Sequence, residues 1–141
     1  MFQSLSSNFI KTYLSMNTFF SPQLFIPNGI SDISFYQKAF NADIFNRLDN
    51  EDGSMHVAEI TIDGALFHIH EVRRDWQLAP TEVKGTTTLI GLFVQNVDAV
   101  MEQALAAGAT LVSPATTFDY GYRQGEIKDP FGHVWLIECK V

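Results

Sequence analysis

Five carboxylate and imidazole side chains stand where strand alternation would turn them to one kind of surface: Glu59, His68, His70, Glu126 and Glu138. A carboxylate beside an imidazole can orient a polar ligand, move a proton or share a cation. The order Ile62-Asp63-Gly64-Ala65 is the Asp-Gly signal of a type I′ hairpin. With that turn, Ile62 pairs with Ala65, Ile60 with Phe67, and Glu59 with His68. One face then carries Ile60, Ile62, Phe67 and Ile69, and the other carries Glu59, Thr61, His68 and His70. Pro130-Phe131-Gly132 sets an equivalent pairing later in the chain. There Ile127 and Trp135 share one face, and Glu126, Leu136 and Glu138 share the other. The apolar faces are expected to pack on helices and the polar faces to line a cleft.

The elements that must carry these residues occur twice. Leu24-Phe25-Ile26-Pro27-Asn28 matches Leu92-Phe93-Val94-Gln95-Asn96 at an offset of 68. Glu59-Ile60 matches Glu126-Ile127 at 67, and Gly64-Ala65-Leu66-Phe67 matches Gly132-His133-Val134-Trp135 at 68. A shared order at a near-constant offset marks an internal repeat. Each half reads as a Phe- or Leu-rich strand, a helix and three strands. The strands are expected at about 19–26, 43–48, 54–62 and 65–71, then 88–94, 109–113, 121–128 and 133–140. Ile30, Ile33, Tyr36 and Phe40 have helical spacing. In the second half Asn96 is a candidate N-cap, Val97, Val100, Met101, Ala104 and Ala107 form an apolar stripe, and Gly108 fits a C-cap. The fold class is α+β, with paired βαβββ modules at about 19–72 and 87–141 joined by a loop at 73–86. Residues 1–18 form an extension. Phe2, Leu5, Phe9 and Tyr13 in it have helical spacing, either as a plain extension before Met16 or as an arm docking on a partner subunit.

Composition narrows the function. The 141 residues suffice for one core, and the net charge of −7 disfavours a phosphate backbone as partner. No nucleic acid and no membrane partner are expected, since no stretch approaches the length of a membrane span. The start lacks a signal peptide's basic and apolar regions, so a cytoplasmic location is expected. Cys139 is alone, which excludes an internal disulfide and a multi-cysteine zinc site. It reads as a small hydrophobe rather than a nucleophile.

The run from Asp119 to Trp135 ends in Asp129-Pro130-Phe131-Gly132-His133-Val134-Trp135. With Tyr120-Gly121-Tyr122-Arg123 before it, and Pro22-x-Leu24 and Phe35-Tyr36-x-x-Ala39-Phe40 in the first half, it resembles the PhnB-like branch of the vicinal oxygen chelate superfamily. That superfamily includes glyoxalases, bleomycin-resistance proteins and dioxygenases. Tyr122 departs from the branch, where Asp is common. The resemblance covers about residues 19–140. It implies two curled mixed sheets around a shared cleft, a homodimer, and four metal-ligand positions that fall on Ser21, His68, Leu89 and Leu136. Two leucines cannot coordinate a cation, so no metal and no cofactor are expected at those positions. A displaced site among Glu59, His68, His70, Glu126 and Glu138 stays open.

Three functions follow. One is a metal-free small-molecule binding protein that holds its ligand in the cleft between the repeats, with Leu89, Phe93 and Leu136 as apolar lining beside Ser21, Glu59, His68, His70, Glu126 and Glu138. Another is a lyase, isomerase or dioxygenase-like enzyme using a displaced metal or a Glu59–His68 acid/base pair. The third is an interaction protein. Arg123 either fixes its loop through an ion pair or reaches an anionic ligand. Trp76 is a cleft lid or a subunit contact, and His133 orders its hairpin.

Overall fold

The computed structural model describes residues 18–141, so the N-terminal helical spacing lies outside the described residues. The order is β1 (Gln23–Ile26), α1 (Phe35–Phe40), β2 (Asp43–Asp49), β3 (Met55–Ile62), β4 (Ala65–Glu71), α2 (Pro80–Val83), β5 (Leu89–Phe93), α3 (Val97–Ala106), β6 (Thr110–Phe118), β7 (Tyr122–Lys128) and β8 (Val134–Lys140). Two four-stranded mixed sheets result, β1-β4-β3-β2 and β5-β8-β7-β6. In each, the first strand lies parallel to the last and the other pairs are antiparallel. The repeat read from the sequence is therefore a structural repeat. Its parallel registers, Gln23 with His68 and Gly91 with Leu136, differ by 68 at both positions.

The hairpin registers match expectation. Glu59 faces His68 and Ile60 faces Phe67, while Glu126 faces Leu136 and Ile127 faces Trp135. Asp63 and Gly64 both have positive φ, 48° and 83°, as a type I′ turn demands. Asn96 caps α3, its Oδ1 accepting from Ala99 N–H at 3.0 Å. Gly108, with φ of 111°, ends that helix's chain segment.

Three elements differ from the sequence reading. Helix α1 begins at Phe35 and not near Ile30, because Asp32 Oδ1 accepts from Ser34 N–H at 2.9 Å and holds a competing turn. Strand β6 runs on to Phe118 through Pro114, which is tolerated on an edge strand. The 73–86 loop contains α2, started by Pro80 and capped at its N-terminus by Glu82 Oε2, which accepts from Ala79 N–H at 3.0 Å.

The two repeats join through their helix-bearing faces. Helix α1 packs on α3, and Gln103 of α3 donates to Lys38 O and Asn41 Oδ1, both at 2.9 Å. Between the sheets Trp135 meets Phe40 at 5.0 Å, Phe67 at 5.5 Å and Tyr36 at 5.9 Å, ring centre to ring centre. Asp129 is buried at the middle of this core. Its Oδ2 accepts from Tyr36 OH at 2.8 Å and Trp135 Nε1 at 3.0 Å, and its Oδ1 accepts from Phe131 and His133 N–H. Four donors offset the cost of burying the charge. Burial, followed by the Asp129 charge and its hydrogen bond, pushes the Tyr36 hydroxyl well above its ordinary pKa. His133 Nε2 lies 2.7 Å from Phe25 O of β1. A carbonyl only accepts, so Nε2 carries the proton and the second repeat is tied to the first sheet's edge.

Candidate functional site

With the helix faces buried against each other, the other face of each sheet is turned away from the shared core. On the first sheet that face brings Ser21, Glu59 and His68 into one chain of contacts. Ser21 Oγ is 2.7 Å from His68 Nδ1. Gln23 Nε2 is 2.8 Å from the same nitrogen. His68 Nε2 is 3.1 Å from Glu59 Oε1. Asn46 Nδ2 donates to Glu59 Oε2 at 2.9 Å. An amide nitrogen only donates, so Nδ1 accepts and Nε2 carries the proton given to Glu59. Asn46 reaches Glu59 because a register shift between Ile44 and Asn46 re-aims the edge strand. The arrangement can present a hydroxyl, an imidazole and a carboxylate to a polar group, or pass a proton along them.

One step along the same strand, His70 packs edge-on against His56, ring centres 5.1 Å apart. His56 Nδ1 is 3.0 Å and Arg73 Nε 2.9 Å from Oε1 of the buried Glu71. Asn50 Nδ2 adds a bond of 3.2 Å to each oxygen. Burial would push the Glu71 carboxyl up, but the hydrogen bonds from Arg73, Asn50 and His56 bring it below its ordinary value. Burial, and then the charge of His56, lower His70.

The second sheet's open face is different. Among the described residues the side-chain hydrogen bond of Glu126 is from Ser113 Oγ, at 3.4 Å. The place beside it holds Leu136. Glu138 is buried and accepts from Gln124 Nε2 at 3.3 Å. Aromatic rings fill the rest: Phe93 lies 6.3 Å from Tyr122 and Tyr122 6.1 Å from Tyr120, which stacks on Phe118 at 5.0 Å. Leu89 and Phe93 are exposed on β5.

Of the residues singled out from sequence, Ser21, Glu59 and His68 come together, with His70 beside them. Glu126, Leu136, Glu138, Leu89 and Phe93 belong to the other sheet's open face. An apolar pocket of about 500 Å³ does lie between the repeats, lined by Leu24, Phe67, Ile90, Leu92 and Trp135, and none of the ten expected residues lines it. Arg123 departs from the ligand-facing expectation. Alternation from the buried Ile127 puts it on the helix side, where its Nε and Nη2 hold Asp98 of α3 at 2.7 and 2.6 Å. Trp76 is exposed and sits edge-on to Phe25 at 5.8 Å. Sequence reasoning missed Gln23 and Asn46. The repeat offset of 68 carries the register of Gly91 with Leu136 onto Gln23 with His68.

The four positions implied for a metal do not fit one. Leu89 and Leu136 offer no donor, and both nitrogens of His68 are already bonded. Among the described residues no group of three or more His, Cys, Asp or Glu is arranged to hold a metal ion. No helix among them is long and apolar enough to cross a membrane.

Residues 26–137 match the family model described as Glyoxalase/Bleomycin resistance protein/Dioxygenase superfamily. An uncharacterised protein of Mycobacterium bovis is 36% identical over 121 residues, covering 83% of this chain and 80% of that one. The crystal structure of TioX from Micromonospora sp. ML1 superposes with a TM-score of 0.66 at 19% identity, over 87% of this chain and 100% of that one. The fosfomycin resistance protein FosX of Listeria monocytogenes gives 0.67 at 18%, over 89% and 95%. At such identities the solved structures speak for the fold alone.

Proposed function

As the chain belongs to the glyoxalase/bleomycin resistance protein/dioxygenase superfamily, we propose that it is a small-molecule binding protein that holds its ligand without a metal. The observation that carries this is the saturation of His68. Its imidazole is fixed by Ser21, Gln23 and Glu59, so it orients a ligand's polar end instead of coordinating a cation. Apolar burial would supply most of the affinity, at about 25 cal/mol per Å² before association costs. The apolar and aromatic floor is on the other sheet, facing away. A two-sided cleft therefore needs a second copy, which would lay its Leu89, Phe93 and Leu136 across the first copy's Glu59 and His68. The exposed Phe93 and Leu89 on β5 favour such a homodimer.

A ligand found by thermal-shift screening tests the reading. Its affinity should fall in Glu59→Gln and His68→Ala while both variants keep the wild-type melting point within a few degrees. Unchanged affinity would make the polar chain structural. A sedimenting monomer at micromolar concentration would remove the two-sided cleft. Tightly bound zinc, nickel, iron or manganese at one per chain would overturn the metal-free reading. A second reading rests on the same contacts: with Nε2–H held by Glu59, Nδ1 is the proton-accepting end of an acid/base pair. It predicts turnover that is lost in His68→Ala and retained after chelation.

A further inference from the structure

Beyond the relay, the end of the first sheet forms a second pocket of about 430 Å³. Its walls include His56, His70, Arg73, Arg74, Phe25 and Trp76, and no Asp or Glu lines it. The chain has sixteen acidic and nine basic residues and four histidines. Two of those nine and two of the four histidines meet here. Asp75, between Arg74 and Trp76 in the chain, is exposed and does not line the pocket, and Glu71 is buried with its oxygens taken by Arg73, His56 and Asn50. Arg74 is engaged only through its backbone, its N–H donating to Gln77 Oε1 at 3.0 Å and its carbonyl accepting from Gln77 N–H at 2.9 Å; its guanidinium has no hydrogen-bond or ion-pair partner among the described residues.

His70 shows what the pocket lacks. Its Nδ1 is shielded from solvent without a well-formed hydrogen bond. Burial and the neighbouring His56 hold its imidazole below the ordinary value, although the Glu71 backbone works the other way. A negative charge in the pocket would reverse the repulsion. The remaining walls are flat: Phe25 and Trp76 meet edge to face at 5.8 Å, and His133 fixes the Phe25 carbonyl from behind. Guanidinium forks match carboxylates, and ring edges and faces match a planar apolar body.

We infer that this pocket is a binding site for a small aromatic carboxylate, its carboxylate against Arg74 and the paired histidines and its ring against Phe25 and Trp76. The site borders the relay, since Gln23 lines the pocket and also contacts His68, but it does not depend on the function proposed for the relay. Calorimetric titration of the full chain with benzoate, benzylammonium and inorganic phosphate tests it. Benzoate should bind once per chain. Arg74→Ala and His70→Asn should each weaken it about tenfold, and Trp76→Leu should weaken it too. Arg74→Ala removes no side-chain hydrogen bond or ion pair among the described residues, so its melting point should stay at the wild-type value. Benzylammonium and phosphate should bind at least about tenfold less well. Benzoate failing to bind at millimolar concentration overturns the proposal, as does benzylammonium or phosphate binding equally well. Loss of benzoate binding in His68→Ala but not in Arg74→Ala would assign the ligand to the relay and overturn it as well.

Discussion

On the first sheet the residue across from Glu59 is His68, with Gln23 on its far side; on the second, the residue across from Glu126 is Leu136, with Gly91 on its far side. The frames beneath are the same. Both edge strands shift register at matching places, between Ile44 and Asn46 and between Leu111 and Ser113. Both shifts aim a small polar side chain at the glutamate. At Ser21/Leu89, Gln23/Gly91 and His68/Leu136 three replacements turn a hydrogen-bonded relay into an apolar surface, which Phe93, Tyr122, Tyr120 and Phe118 extend. The comparison teaches that the scaffold sets where chemistry can occur and that side chains at a few fixed register positions decide whether it does.

The largest expected effect tests whether the turns are equivalent. Asp129→Ala orphans the buried Tyr36 hydroxyl and Trp135 indole N–H and should cost about 3–5 kcal/mol in urea unfolding. Asp63→Ala, in the first repeat's exposed hairpin turn, should cost no more than about 1 kcal/mol. Equal losses would show that the second turn has no special role. Next comes the relay. Glu59→Gln or His68→Ala should weaken a ligand found by screening by about 1–3 kcal/mol. Glu126→Gln, its counterpart without an imidazole, should change affinity by less than about 0.5 kcal/mol. Matching losses would mean that the sheets share the ligand equally.

A smaller effect is expected from acid. The folded pKa of His70 is depressed, so the unfolded chain takes up the proton first as pH falls below the ordinary histidine value of 6.5. Stability is complete above that pH and declines below it, until His70 also titrates in the folded state. Glu71, also depressed, extends the decline below its ordinary 4.5. The melting temperature should therefore fall between pH 7 and 5, and His70→Asn should flatten that fall. An unchanged slope in the variant would remove His70 from the account. The smallest effect is none at all. Arg123→Ala should leave ligand affinity unchanged by titration, because its guanidinium is spent on Asp98 across the sheet from the open face. A drop of tenfold would place it in the site after all.

Much of this was legible from residues. Asp63-Gly64 fixed one register, and the 67–68 offset carried it to the second repeat, so the faces of Glu59, His68, Glu126 and Leu136 follow from pattern alone. Alternation from Ile127 also contains the true place of Arg123, though the family motif drew attention to its chemistry instead. Other features need three dimensions. Glu71 reads as one more strand residue, yet it gathers Arg73, Asn50 and His56 from two loops and a neighbouring strand. Nothing in the sequence says that the repeats meet through their helix faces. That arrangement follows from the fit of Trp135 among Tyr36, Phe40 and Phe67, a matter of shape rather than periodicity.

The bonds that cross between repeats join residues far apart in the chain. Tyr36 and Asp129 are 93 positions apart, and Phe25 and His133 are 108 apart. The segment connecting the repeats, by contrast, is exposed along most of its length, Arg73 and Arg74 included. Covalent continuity there is thus dispensable for holding the halves together. A single tryptic nick after Arg74 should leave two fragments that co-elute under native conditions and part only in denaturant. Nicked and intact protein should also lose structure in one shared transition, since neither half can keep Trp135 and Tyr36 dry without the other.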